Sequence, residues 1–322
     1  MKRTDLWQPG EYSYPLAFGF MPNFRQYIIE DGKTHPCMLI LPGGAYAYVS
    51  PSEGEVVAKA FLKLGYNCFV MSYTTNRLTR VPLMEQPLKD LARAVRILRK
   101  HADEYNIDPN RLYICGFSAA GHLCATLCDY FNEVPDDNPE YASVSCRPDA
   151  AVLCYPVITT DGPVHRGSIM NLLGADIYDR DDAQGRALVD RFSLEKHVRD
   201  DTPPCFIWQT VTDGSVPIEN SYLYADALKK KGIRHALHAF SCGGHGISTA
   251  DENWAKGRFG ETYTWEQAYA LQKAIIEGKI EVSEELKVQL MKETDRSNWS
   301  QSENPEAAIW PVLADGFLKG LN

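Results

Sequence analysis

Leu112-Tyr113-Ile114-Cys115-Gly116-Phe117-Ser118-Ala119-Ala120-Gly121 is the stretch that decides the fold. Leu112 to Cys115 is a short apolar run of strand type. Gly116-Phe117-Ser118 interrupts it, and the small residues that follow open a helix. A serine at a strand-to-helix turn, with Gly116 two residues before it and Ala120 two after, has the form of a nucleophile elbow. Such a turn is tight and tolerates only small flanking residues. The usual pattern has Gly where Ala120 stands, a mild departure. A helix starting after Ser118 points its N-terminal dipole and free N–H groups at the hydroxyl. The plainer alternative is an ordinary turn whose glycines serve packing.

Outward from this turn, short apolar runs alternate with longer amphipathic stretches, the signal of an α/β sheet. Runs at 37–41, 68–73, 150–155, 205–210 and 236–240 read as strands beside 112–115. Their continuous apolar character is that of buried parallel strands. Ser50-Pro51-Ser52-Glu53 reads as an N-cap, a proline at the first helical position and a capping-box glutamate. The helix behind it carries Val56, Val57, Ala60, Phe61 and Leu64 on one face and ends at Gly65. Further helices are expected at 87–104 and 218–231. The fold class is therefore α/β: a doubly wound, mostly parallel sheet with helices on both faces and right-handed crossovers. One domain is expected over 1–322. It carries a polar insert at about 156–202 and a helical insert at about 253–304, with helices at 265–276 and 283–292 inside the latter. An amphipathic segment at 307–321 is expected to pack back on the sheet.

Composition excludes several classes. Hydrophobic residues make up 44% and charged residues 23%, which rules out disordered and low-complexity chains. Lys and Arg number 33 against 42 Asp and Glu, a net charge of −9, so nucleic acid is not an expected partner. No apolar run approaches the roughly 18 residues of a membrane span, so neither is a membrane. The start lacks the apolar stretch of a signal peptide, and a cytoplasmic location is expected. Nine cysteines, an odd number, point to reduced thiols. Cys124 and Cys128 lie four apart with no second pair to complete a tetrahedral site, so no metal is expected. No cofactor is implied.

A serine hydroxyl is a weak nucleophile without an adjacent base. His245, in Gly243-Gly244-His245-Gly246 after the last expected strand, is the candidate base. The base needs a carboxylate to hold its tautomer. Asp213, in Thr212-Asp213-Gly214-Ser215-Val216-Pro217, follows the strand at 205–210. The interval to His245 has room for one helix and one strand. Asp226 falls mid-helix and Asp251 follows the histidine, in the wrong order. Developing negative charge needs preorganised N–H donors. Gly43 and Gly44, after the strand at 37–41, and Ala119, after the serine, are the candidates. Tyr46 and His122 are the candidate substrate contacts. Tyr48 is a further lining residue, and a supporting role is favoured for His122.

These segments resemble the α/β-hydrolase esterases, and are most similar to the bacterial acetyl-esterase and acetyl-xylan-esterase-like branch, neighbours of the hormone-sensitive-lipase-like family. The matching stretches are Leu41-Pro42-Gly43-Gly44-Ala45-Tyr46 with Ser50-Pro51-Ser52-Glu53-Gly54-Glu55, Asp108-Pro109-Asn110-Arg111 leading to Gly116-Phe117-Ser118-Ala119, Thr202-Pro203-Pro204, and the two segments around Asp213 and His245. They span about 33–249. Pro42 stands where the lipase-like family has His, and the stretch 253–304 has no counterpart. The order Ser118, Asp213, His245 is that of α/β-hydrolases. The resemblance implies hydrolysis of short acyl esters, often acetyl groups on plant-polysaccharide fragments.

The expectation is a serine carboxylesterase with Ser118, Asp213 and His245 as catalytic residues. Its partner is a small-molecule or oligosaccharide ester, with a homo-oligomer left open. The rivals are a serine peptidase of the same fold, which needs a pocket for a peptide N-terminus, and a non-catalytic ligand-binding protein on a hydrolase scaffold.

Overall fold

The computed structural model describes residues 1–297 and 299–321. Position 298 of the expected helical insert and position 322 of the expected domain lie outside the described residues. The strands in chain order are β1 (Arg3–Asp5), β2 (Asn23–Tyr27), β3 (His35–Leu41), β4 (Asn67–Ser72), β5 (Ile107–Phe117), β6 (Ala150–Cys154), β7 (Cys205–Thr210) and β8 (His235–Phe240). They form one sheet in the order β1-β2-β4-β3-β5-β6-β7-β8. From β3 to β8 all neighbours are parallel, while β2 runs antiparallel to both β1 and β4.

The helices are α1 (Glu55–Lys63), α2 (Gln86–Lys100), α3 (Ala119–Tyr130), α4 (Arg166–Leu173), α5 (Ala175–Tyr178), α6 (Ala183–Asp190), α7 (Glu219–Lys230), α8 (Glu252–Ala255), α9 (Glu266–Ile276), α10 (Glu284–Glu293) and α11 (Trp310–Lys319). Successive strand residues face opposite sides, and the apolar runs fill both. Leu39, Leu41, Ile114, Leu153 and Ile207 meet Leu91 and Val95 of α2, Leu123 of α3 and Leu228 of α7. Met38, Ile40, Cys115, Val152 and Trp208 meet Val57 and Phe61 of α1 and Trp310 and Leu318 of α11. The central parallel strands β3 to β7 are thus covered on both faces, the arrangement parallel sheets require. Among the described residues no helix is long and apolar enough to cross a membrane.

Two sequence readings need correction. The antiparallel strands β1 and β2 were not expected. Asn23-Phe24-Arg25-Gln26-Tyr27 shows no apolar run, because Phe24 supplies the apolar core contact, against Phe69 and Tyr105. Residues 50–53 do not cap α1. Pro51–Glu53 is a separate 3₁₀ turn, Ser50 makes no side-chain cap, and the N-cap of α1 is Gly54. Ser50 and Ser52 hydrogen-bond each other at 2.8 Å, and Glu53 turns inward.

The polar insert folds as α4 to α6 with no strand among the described residues. In the later insert, Leu271 and Ile275 of α9 pack with Leu290 of α10 and Leu78. Gln267 fixes α9 to the loop after β4. It accepts the N–H and hydroxyl of Thr75 at 2.8 and 2.9 Å and donates to the Thr75 carbonyl at 2.7 Å. This insert therefore stands at the carboxyl ends of the strands, where open α/β sheets place ligands.

Candidate active site

At the end of β5 the chain turns through Ser118, whose φ of 54° and ψ of −120° are strained for a non-glycine residue, and enters α3 at Ala119. The turn is close enough that a Cβ on Gly116 would lie 2.2 Å from the Ala120 carbonyl oxygen, and one on Gly121 would lie 2.7 Å from Pro156. The Ser118 N–H donates to the Cys154 carbonyl at 2.9 Å, which ties the turn to β6.

His245 comes from the loop after β8. Its Nδ1–H donates to Asp213 Oδ2 at 2.7 Å, and its Nε2 accepts the Ser118 hydroxyl at 2.8 Å. The Asp213 side chain is 1% exposed and that of His245 21%. Asp213 also accepts the N–H groups of Ser215 and Val216 at 2.9 and 3.0 Å. Burial alone would raise its carboxyl. The His245 hydrogen bond and charge and the two backbone donors outweigh that and hold it below the usual carboxylate value. An ionised Asp213 fixes the proton on Nδ1, so Nε2 presents its lone pair to Ser118. Of the competitors, Asp251 caps α8 by accepting the Trp254 N–H at 3.0 Å, and Asp226 pairs with Lys230.

The loop after β3 differs from expectation at one residue. The Gly43 N–H donates to Glu53 Oε2 at 2.7 Å, so Gly43 is committed to a side chain and is not an oxyanion donor. The N–H groups of Gly44 and Ala119 have no protein acceptor among the described residues. That of Ala45, which the sequence reading passed over, has none either. Gly44 and Ala45 line a cavity of about 300 Å³ together with Ser118, His245 and Glu53. Ala119, at the start of α3, adds an N–H that no helical carbonyl can reach.

Glu53 is 4% exposed. Its second oxygen accepts the Tyr155 hydroxyl at 2.7 Å. Tyr155 in turn accepts the Ser248 N–H at 3.1 Å and sets its ring edge-on to His245 with centroids 5.0 Å apart. Burial raises the Glu53 carboxyl, and the Tyr155 and Gly43 donors draw it partly back. One buried carboxylate thereby joins the loop at 43–45 to the loop that carries His245. The signal for it was present as Ser-Pro-Ser-Glu, which also spells a helix cap.

Tyr46 and His122 do not contact the cavity. Tyr46 is 1% exposed and donates its hydroxyl to His122 Nδ1 at 2.9 Å, while His122 Nε2–H donates to the Phe192 carbonyl at 2.9 Å. Their placement as substrate contacts is corrected: both lie beneath the elbow and support it. Burial drives the His122 pKa down to about 4. Tyr48 does line the cavity, with three groups the sequence reading missed: His165, Arg296 and Trp299. His165 caps α4, its Nδ1 accepting the Ser168 hydroxyl at 2.8 Å. Among the described residues no group of three or more His, Cys, Asp or Glu is placed to hold a metal ion.

Comparison with known proteins places the chain in a family. The family model described as BD-FAE matches residues 27–228. The chain belongs to the BD-FAE family of α/β-hydrolases. Within reach of this BD-FAE chain, endo-1,4-β-xylanase B of Butyrivibrio fibrisolvens is 46% identical over 273 residues, covering 85% of the chain and 42% of the relative. The acetylxylan esterase of Xylanibacter ruminicola is 31% identical over 241 residues, covering 70% and 46%. The chain thus spans less than half the length of both curated relatives. The crystal structure of the acetyl ester-xyloside bifunctional hydrolase from Caldicellulosiruptor lactoaceticus superposes with a TM-score of 0.70 at 35% identity, over 87% of this BD-FAE chain and 97% of that one.

Proposed function

We propose that the chain is a serine carboxylesterase that removes short acyl groups, acetyl above all, from sugar esters such as xylan-derived oligosaccharides. The observation that carries this is the hydrogen-bonded line from Ser118 through His245 to Asp213, opening on a cavity walled by unpaired backbone N–H groups. Attack by Ser118 forms the Oγ–carbonyl bond and passes the hydroxyl proton to His245 Nε2. The carbonyl oxygen becomes an oxyanion, held by N–H groups from Gly44, Ala45 and Ala119. Collapse breaks the bond to the alcohol, which leaves with the proton from His245. Water then repeats the sequence on the acyl-enzyme, with His245 again as base. No step calls for a cofactor.

The relatives named for xylanase, acetylxylan esterase and acetyl ester-xyloside hydrolase activities support the sugar-ester substrate. Eight buried cysteines of nine support reduced thiols and a cytoplasmic setting. The test is acetate release from acetylated xylo-oligosaccharides, beside p-nitrophenyl acetate, butyrate and octanoate. The reading expects acetate release and rates falling with acyl length. Hydrolysis of aminoacyl-nitroanilides with no acetate release would replace it with the peptidase.

A further inference from the structure

Between α10 and α11 stands a charged group that the triad does not use. Arg296 lines the serine cavity and also a second cavity of about 420 Å³, and Tyr48 and Trp299 are likewise shared by the two. The volume falls within the roughly 300–1,000 Å³ of small-ligand sites. The guanidinium carbon lies 4.5 Å from the Trp265 ring centroid, 4.7 Å from Phe259 and 5.4 Å from Trp299. These rings hold the cation by their faces but accept none of its in-plane N–H bonds. Nη1 is buried and has no acceptor among the described residues.

Nearby carboxylates are engaged elsewhere. Glu53 takes the donors of Gly43 and Tyr155, Glu293 pairs with Arg77, and Asp295 accepts the Ser297 N–H at 2.9 Å. Burial lowers the Arg296 pKa to about 10, against the pull of Tyr48, Glu53 and Tyr269, which leaves it cationic at neutral pH. A fixed cation with a buried, unmet donor, placed where the serine cavity meets a second one, is incomplete without an acceptor from the ligand.

We propose that Arg296 binds the carboxylate of an acidic sugar ester: an acylated oligosaccharide bearing a uronic acid, with its acyl group at Ser118 and its sugar chain in the second cavity. This rests on the ester-hydrolase reading above and narrows its substrate class. The planar guanidinium matches a carboxylate in two parallel hydrogen bonds. Tyr48 and Trp299, which line both cavities, offer apolar surface to sugar rings, and Ser300 and Gln301 offer polar atoms to hydroxyls.

The experiment compares kcat/KM for acetate release from an acetylated, uronic-acid-substituted xylo-oligosaccharide and from the same compound with its uronate converted to the neutral methyl ester. The wild type is expected to favour the free acid by about 10-fold or more, mainly through KM, as charge-assisted hydrogen bonds of this strength dictate. Arg296→Gln is expected to bring the ratio near one, and Arg296→Lys to keep only part of it because the fork is lost. Salt at about 0.5 M is expected to reduce the wild-type preference. A wild-type ratio within about twofold of one overturns the assignment with no variant needed. Turnover of p-nitrophenyl acetate separates the two claims. If it is absent, the ester reading fails; if it is present with a ratio near one, the Arg296 assignment alone fails.

Discussion

The carboxylate of Glu53 accepts the backbone N–H of Gly43 at 2.7 Å, so a side chain buried behind the cavity fixes the loop on which Gly44 and Ala45 present their own N–H groups. Because the same carboxylate holds Tyr155, and Tyr155 holds Ser248, the oxyanion loop and the His245 loop are braced against one another.

Glu53→Gln retains shape but not the capacity to accept two hydrogen bonds on separate oxygens. It is expected to lower kcat for p-nitrophenyl acetate by about 10²-fold, the scale of one misplaced oxyanion donor, with little change in KM. Steady-state kinetics decide this, and a change confined to KM would assign Glu53 to substrate binding.

Asp213→Asn keeps the geometry and removes the charge that fixes the His245 proton on Nδ1. The expected loss in kcat is roughly 10⁴-fold, as for a triad whose base is held in the wrong tautomer. A loss of less than about tenfold would remove Asp213 from the role described.

His122 is buried and neutral in the fold, with a pKa of about 4 against 6.5 when exposed. Its folded value lies below its unfolded value, so the unfolded chain binds more protons between those limits. The stability it contributes is full above pH 6.5 and is lost as the pH falls toward 4, up to about 3 kcal/mol. Denaturant unfolding of wild type and His122→Asn at pH 7.5 and at pH 4.5 checks this, since the gap between the two proteins is expected to shrink at the lower pH. An unchanged gap would mean that His122 titrates normally.

Trp310 stacks on Trp208 with centroids 5.3 Å apart, meets Phe61 and Phe117, and donates its Nε1–H to the Ser248 carbonyl at 2.8 Å. Trp310→Ala is expected to cost about 3–5 kcal/mol of stability. Because Ser248 lies on the His245 loop, activity is expected to fall before the fold melts. Parallel thermal melts of activity and of circular dichroism measure this, and coincident curves would confine Trp310 to packing.

The sequence made the elbow, Asp213 and His245 readable because each lies at a strand end, where apolar runs stop and chemistry-bearing residues begin. The parallel strands were readable for the same reason: β4, β6, β7, most of β3 and the stretch of β5 from Leu112 onward are buried on both faces and hence largely apolar. β2 was not, because this antiparallel strand between β1 and β4 buries one apolar residue, Phe24, and carries no such run. Glu53 was misread because a serine, a proline and a glutamate in that order satisfy a helix cap locally, and only the tertiary fold brings Gly43 and Tyr155 to the carboxylate. His122 lies four residues after Ser118, which puts it on the elbow's helix face but under Phe192, a packing detail that no local pattern encodes. Arg296 reaches the cavity from more than 170 residues beyond Ser118 in sequence, in a segment with no periodic signal.

The most direct measurement of the central claim is p-nitrophenyl acetate turnover by the wild type and by Ser118→Ala, with circular dichroism to show that both are folded. The account predicts turnover by the wild type and a loss of about 10⁴-fold or more in the variant. Equal rates in the two proteins would contradict it, because Ser118 is the hydroxyl that His245 Nε2 holds at 2.8 Å.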